Sequence, residues 1–185
     1  VPNILREALM SKLVAGNWKM FGDQNMLSEI KVIDQYCHKI DCEVAICPPF
    51  QLILSAHQQT KNIKIGAQNC HINANGPHTG EVSAEMLIDV GAELVLVGHS
   101  ERRQDNNETN KIIKQKAEAV QRARATAVVC IGETLEERKA DRTLQVLQEQ
   151  MLNCLPKNVN PKNTVVAYEP VWAIGTGLVP EIDQI

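Results

Sequence analysis

The chain has 185 residues, 44% hydrophobic and 22% charged, with a formal net charge of −3 and a pI near 6.0. That length is enough for one compact domain with a real hydrophobic core. The charge gives no pull toward nucleic acid or anionic lipid, and no apolar run approaches the roughly 20 residues that span a bilayer. Six cysteines (Cys37, Cys42, Cys47, Cys70, Cys130, Cys154) lie scattered without paired spacing. They read as free thiols of a reducing, cytoplasmic compartment. Cys37-His38 with Cys42, His71 and His78 lacks the tight four-ligand spacing of structural zinc, so neither a metal nor a cofactor is expected.

Residues 1–10 read as an N-terminal extension that carries no secretory pattern, because Met10-Ser11 resembles a natural start. The single domain is assigned to 11–185. From there, short apolar, β-branched runs alternate with amphipathic stretches. The runs are Leu13–Trp18, Val44–Cys47, Ile63–Gln68, Leu94–Val97, Ala127–Ile131 and Thr164–Tyr168. Being almost wholly apolar, they predict strands of a parallel sheet buried on both faces. After the first, Met26, Leu27, Ile30, Ile33, Cys37 and Ile40 keep helical spacing, with Asp23 as N-cap. His71–Gly80, rich in Asn and Gly with one Pro, is long enough to be a functional protrusion. After the fifth run, Thr134 and Glu137 form a capping box. Leu144, Leu147, Met151 and Leu155 then continue one helical face until Pro156 stops it.

Six βα units with right-handed crossovers give either an open doubly wound sheet or a closed barrel, and periodicity does not choose. In both, ligands meet the carboxyl ends of the strands. The first run ends in Asn17-Trp18-Lys19, the fourth in His99-Ser100-Glu101-Arg102-Arg103, and the sixth in Glu169. An amide, an ammonium, an imidazole and a carboxylate thus gather where one pocket would lie. Each alone has an ordinary explanation: Lys19 could simply pair with Glu101, His99 could be a structural hydrogen bonder, and Glu169 a solvated loop residue. Together they supply a general base and donors for a developing oxyanion.

Ala15-Gly16-Asn17-Trp18-Lys19-Met20, Val97–Arg103 and Ala167–Gly177 resemble, in order, the three signature blocks of the triosephosphate isomerase family. Gly66-Ala67-Gln68-Asn69, Thr79–Leu87 and Cys130-Ile131-Gly132-Glu133-Thr134 match as well. The resemblance implies a (β/α)₈ barrel and isomerisation of a triose phosphate through an enediolate. It makes Glu169 the shuttling base and His99 a neutral electrophile. Lys19 becomes the charge on enediolate and phosphate, oriented by Asn17. Supporting roles fall to Ser100, to Glu101 as a buried carboxylate near Lys19 and Asn17, and to Cys130 packed near the base.

Pro170, Val171, Trp172, Ala173, Ile174, Gly175, Thr176 and Gly177 correspond to a water-excluding lid, with Gly175 offering its N–H to phosphate. The following Leu178-Val179-Pro180 departs from the Lys-Thr-Ala often found there, which implies altered lid kinetics. Thr79 would reach a partner subunit in a homodimer, with His78 replacing the usual Phe. That barrel takes roughly 250 residues, so only its first six βα units are expected here, truncated before the last two. The phosphate loops after the seventh and eighth strands have no counterpart to assign. A related sugar isomerase or aldolase would need a Schiff-base lysine or a metal cluster at a strand end, and neither is seen. An inactive fragment or binding module that kept the scaffold is the other alternative, against which the intact Asn17, Lys19, His99 and Glu169 argue.

Overall fold

The computed structural model describes residues 12–174, 176–177 and 179–181, so the assigned extension lies outside the described residues. Six strands, β1 (Leu13–Asn17), β2 (Glu43–Cys47), β3 (Lys64–Ala67), β4 (Leu94–Val97), β5 (Thr126–Ile131) and β6 (Thr164–Tyr168), pair in chain order. Every pairing is parallel, with Ala15 opposite Ala45, Leu96 opposite Val128, and Cys130 opposite Ala167. Consecutive strands that all neighbour one another give the curl of a barrel rather than the reversal of a doubly wound sheet. The expected fold class therefore holds for the six units described.

Alternation along each strand sorts side chains into two cores. Val44, Ile46, Ile65, Ala67, Val95, Val97, Val129 and Ile131 face the helices, where Leu27, Ile30, Leu52, Ile53, Leu87, Ile113 and Val120 meet them. Ala45, Cys47, Leu94, Leu96 and Val128 form a smaller cluster of strand residues on the concave side. Burial on both faces holds for β2 to β5. It fails for β1 and β6, whose Val14 and Val166 are exposed. Those two strands each have a strand neighbour on one side only.

The helices are α1 (Leu27–Cys37), α2 (Ile53–His57), α3 (Ala84–Asp89), α4 (Ser100–Asp105), α5 (Asn110–Arg122), α6 (Leu135–Lys139) and α7 (Thr143–Cys154). Two expectations need correcting. Asp23 does cap, but its carboxylate accepts the Asn25 N–H of a 3-10 turn that precedes α1, and Ile40 lies beyond the helix, exposed. The capping box at Thr134 and Glu137 forms, yet the helix it opens ends at Lys139. A break at Ala140–Arg142, with Asp141 at φ 55°, separates α6 from α7, so the face through Leu144 is not continuous and Leu144 is 81% exposed.

Asp34 on α1 fastens the start of β3. Its Oδ1 accepts the backbone N–H groups of Lys61, Asn62 and Ile63 at 2.9, 2.6 and 3.1 Å. One aspartate thus supplies acceptors for three consecutive donors that neither helix nor sheet would satisfy.

Candidate active site

Three strand ends converge. β4 ends at Val97, Gly98 follows at φ 77°, and His99 caps α4, with its carbonyl accepting the Arg102 N–H at 2.9 Å. The His99 Nδ1 accepts the Glu101 backbone N–H at 3.4 Å, which leaves the ring hydrogen on Nε2. From Nε2 that hydrogen reaches Glu169 Oε1 at 2.8 Å. Ser100 completes the clasp: its N–H donates to Glu169 Oε2 at 2.9 Å and its hydroxyl to Oε1 at 2.8 Å. Both side chains, His99 and Glu169, are 13% exposed. Burial pushes the Glu169 carboxyl up, but the hydrogen bonds from His99 and Ser100 outweigh it and hold it below the ordinary glutamate value.

Lys19 stands after β1 in the left-handed region at φ 52°. Its N–H donates to Asn17 Oδ1 at 2.8 Å, and its ammonium meets Glu101 Oε1 at 2.8 Å. The simple pairing of Lys19 with Glu101 is therefore real, and it aims the ammonium toward the helix that starts behind His99. Glu101 is the residue that departs from its expected environment. Its side chain is 46% exposed rather than buried, with its carboxylate 2.8 Å from Lys19 Nζ and 3.5 Å from His99 Nδ1.

Cys130, the penultimate residue of β5, is buried near Glu169. Burial, reinforced by the charge of Glu169, pushes its thiol up to about 12. Next to it Gly132 leaves no room for a side chain, since a Cβ there would overlap the Glu169 carbonyl oxygen. Glu133 is fully buried and gathers Tyr168 Oη at 3.1 Å, Arg138 Nη1 at 2.9 Å and Thr143 Oγ1 at 3.3 Å. The Arg138 guanidinium lies 4.5 Å from the centre of the Trp172 ring.

The segment after Glu169 makes a 3-10 turn over Val171–Ala173, in which Trp172 is buried. Thr176 Oγ1 returns to the Ala173 carbonyl at 3.0 Å, and Gly177 turns at φ 76°. Gly175 and Leu178 lie outside the described residues. Thr79 is exposed on the long loop; there the His71 and His78 rings lie with their centroids 4.1 Å apart, tilted by 33°, and Asn73 Nδ2 meets His78 Nε2 at 2.9 Å. Among the described residues no cluster of three or more His, Cys, Asp or Glu could hold a metal ion.

Asn17, Lys19, His99, Ser100, Glu101, Cys130 and Glu169 thus gather at the carboxyl end of the sheet. Sequence reasoning gave no role to Gln68, Gly132 or the Glu133–Arg138–Tyr168 group. For Gln68, Gly132, Glu133 and Tyr168 the signal was membership of matching blocks, which names positions without saying what they touch; Arg138 lies outside those blocks.

The sequence model of the family described as triosephosphate isomerase matches residues 12–185. A triosephosphate isomerase of Ruegeria sp. (strain TM1040) is 52% identical over 174 residues, covering 94% of this chain and 71% of the relative. One of Rhodopseudomonas palustris (strain BisA53) is 46% identical over 184 residues, covering 96% and 73%. The crystal structure of triosephosphate isomerase from Bartonella henselae superposes with a TM-score of 0.84 at 42% identity, covering 87% of this chain and 68% of that one.

Proposed function

The chain belongs to the triosephosphate isomerase family, and we propose that Glu169, His99, Lys19 and Asn17 carry its reaction at the site built above. The activity is an intramolecular aldose–ketose isomerisation, between dihydroxyacetone phosphate and D-glyceraldehyde 3-phosphate, a step of glycolysis and gluconeogenesis. The Glu169 carboxylate removes a proton from the carbon beside the carbonyl. The released electron pair moves onto the carbonyl oxygen; a proton then passes from the neighbouring hydroxyl oxygen to that oxygen, and the enediolate takes the carbon-bound proton back on the neighbouring carbon as the new carbonyl forms. No proton or electron is gained or lost overall, so no co-reactant is needed.

One observation carries this assignment: the His99 Nε2–H is bonded to Glu169 Oε1 at 2.8 Å. A donor whose ring hydrogen is fixed on Nε2 is suited to polarise a carbonyl, and a carboxylate shielded from water is suited to take the adjacent proton. The two cap each other. An incoming carbonyl takes the Nε2–H that Glu169 now accepts, and the carboxylate turns from Ser100 toward the substrate carbon. Lys19 places its ammonium by the enediolate and phosphate, with Asn17 orienting its backbone. Gly175 adds a backbone N–H to the phosphate. Val171, Trp172 and Ile174, carried by Pro170 to Gly177, exclude water that would otherwise let the enediolate expel phosphate.

Replacing the base tests the assignment. Glu169→Gln or Glu169→Asp should lower turnover by orders of magnitude while substrate binding largely survives. Turnover close to that of the unaltered enzyme would remove Glu169 from its role.

The working form is a homodimer in which Thr79 of one subunit reaches the Lys19 region of the other. Met20 and Phe21, directly after Lys19, are 95% and 72% exposed, an apolar pair that a partner's loop would cover along with the half-exposed Glu101. A monomer in sedimentation at micromolar concentration would refute this. The six free thiols support a reducing, cytoplasmic location; disulfides in protein isolated without reductant would count against it.

A further inference from the structure

Gln68 directly follows β3 and bridges to the neighbouring strand ends. Its Nε2 donates to the Lys19 carbonyl at 2.9 Å and to the Cys47 carbonyl at 2.8 Å. Both partners are acceptors, so the amide can face them only with its nitrogen. We infer that Gln68 is a positioning residue that holds the Lys19 ammonium in place by fixing the backbone from which it projects.

Lys19 sits at φ 52°, where the Cβ of an L-residue crowds the following carbonyl, so the loop needs outside restraint to stay there. The residues that follow close a turn within the loop, the Phe21 N–H donating to the Trp18 carbonyl at 3.2 Å, but the Met20 and Phe21 side chains are exposed. Restraint comes instead from two side-chain amides, one on each side of the strained residue. Asn17 Oδ1 accepts the Lys19 N–H at 2.8 Å, and Gln68 donates to the Lys19 carbonyl. Of the two, only the second belongs to another strand; it fixes the Lys19 backbone against the barrel, beside the Trp18 N–H that donates to the Cys47 carbonyl at 3.1 Å and the ion pair of the ammonium with Glu101. The second hydrogen bond of Gln68, to Cys47 at the end of β2, ties the clamp to the sheet.

The next residue is anchored just as firmly. Asn69 Oδ1 accepts from Lys116 Nζ at 2.7 Å, Lys116 pairs with Glu108 at 2.6 Å, and Glu108 takes Arg102 Nε at 2.8 Å. Arg102 lies on α4, the helix that His99 caps. The frame that holds Lys19 is therefore continuous with the one that holds His99: Gln68 joins it to the Lys19 backbone, and Glu101 of α4 meets the ammonium itself.

This inference rests on the proposed role of Lys19, and the test separates the two. Gln68→Met keeps the length and removes both donors; Gln68→Asn keeps the amide and shortens its reach. Both should lower kcat/KM about a hundredfold, the usual cost of displacing a catalytic group by about 1 Å. Both should weaken competitive inhibition by inorganic phosphate by a similar factor, and neither should move the acid limb of the pH profile, because neither touches Glu169. Asp34→Ala, remote from the site, should lower the melting temperature and leave kcat/KM unchanged. Lys19→Met should abolish activity. A Gln68→Met enzyme within about threefold of wild type beside an inactive Lys19→Met overturns the role of Gln68 alone, and an active Lys19→Met overturns the reading beneath it. Activity lost from Asp34→Ala as fully as from Gln68→Met would reduce Gln68 to a structural role and refute the inference.

Discussion

Adding a single methyl at Gly132 tests the seat of the base. Built on the present backbone, the Cβ of Gly132→Ala overlaps the Glu169 carbonyl oxygen and lies 2.9 Å from its carbon and 3.0 Å from Val171 Cγ2. Neither side can slip away freely. Gln150 holds Gly132 by both its N–H and its carbonyl, at 2.8 and 2.9 Å, and the Glu169 N–H is bonded to the Ile131 carbonyl at 2.8 Å. The end of β6 must therefore retreat by about 1 Å, and the carboxylate travels with it. A displacement of that order costs about a hundredfold in rate, or about 2.7 kcal/mol of barrier. Steady-state kinetics with glyceraldehyde 3-phosphate, coupled to NADH oxidation, should show the loss in kcat with KM little changed. A mutant of normal kcat would mean that Glu169 does not depend on this contact, and the described seat of the base would be wrong.

Ser100→Ala removes one of the hydrogen bonds that hold the Glu169 carboxyl low, so the acid limb of kcat/KM against pH should move upward; an unmoved limb would refute the clasp. The stability that Glu169 gains from His99 and Ser100 is present above the ordinary glutamate pKa and is lost as pH falls through the lowered folded value. Asp34→Ala should cost about 3 kcal/mol in urea unfolding, because three backbone donors lose a charged acceptor. Burial raises the Asp34 carboxyl, but the Asn62, Lys61 and Ile63 amides outweigh it, so the mutant should also lose part of the acid slope of stability. An unfolding midpoint matching wild type at neutral pH would contradict that account.

The strands were legible because a parallel sheet covered on both faces writes itself as continuous apolar runs, and Leu94–Val97 is read at its observed bounds. The break between α6 and α7 was not, since Ala140, Asp141 and Arg142 include neither glycine nor proline and Asp141 carries the turn at φ 55°. The polar residues at strand ends pointed to the site because strand ends are where such folds keep their chemistry. What they touch was out of reach. Gln68 is 49 residues from Lys19, Ser100 is 69 from Glu169, and pairings of that span are fixed by how the barrel closes rather than by local pattern. The exposure of Glu101 was hidden for the same reason, because a carboxylate beside a lysine looks identical in sequence whether the pair is covered or open.

The same helix break bears on how the flap over the site can open. Glu133 anchors Tyr168, at the end of β6, and Arg138, near the end of α6, on one carboxylate, and Arg138 carries the indole of Trp172 on its guanidinium face. Any swing of Trp172 is therefore geared to α6. That helix is five residues long and is divided from its neighbour by a turn at Asp141. Thr143, the first residue of α7, reaches the same Glu133 carboxylate at 3.3 Å, so one buried side chain joins both pieces of the broken helix to the strand that ends at Tyr168.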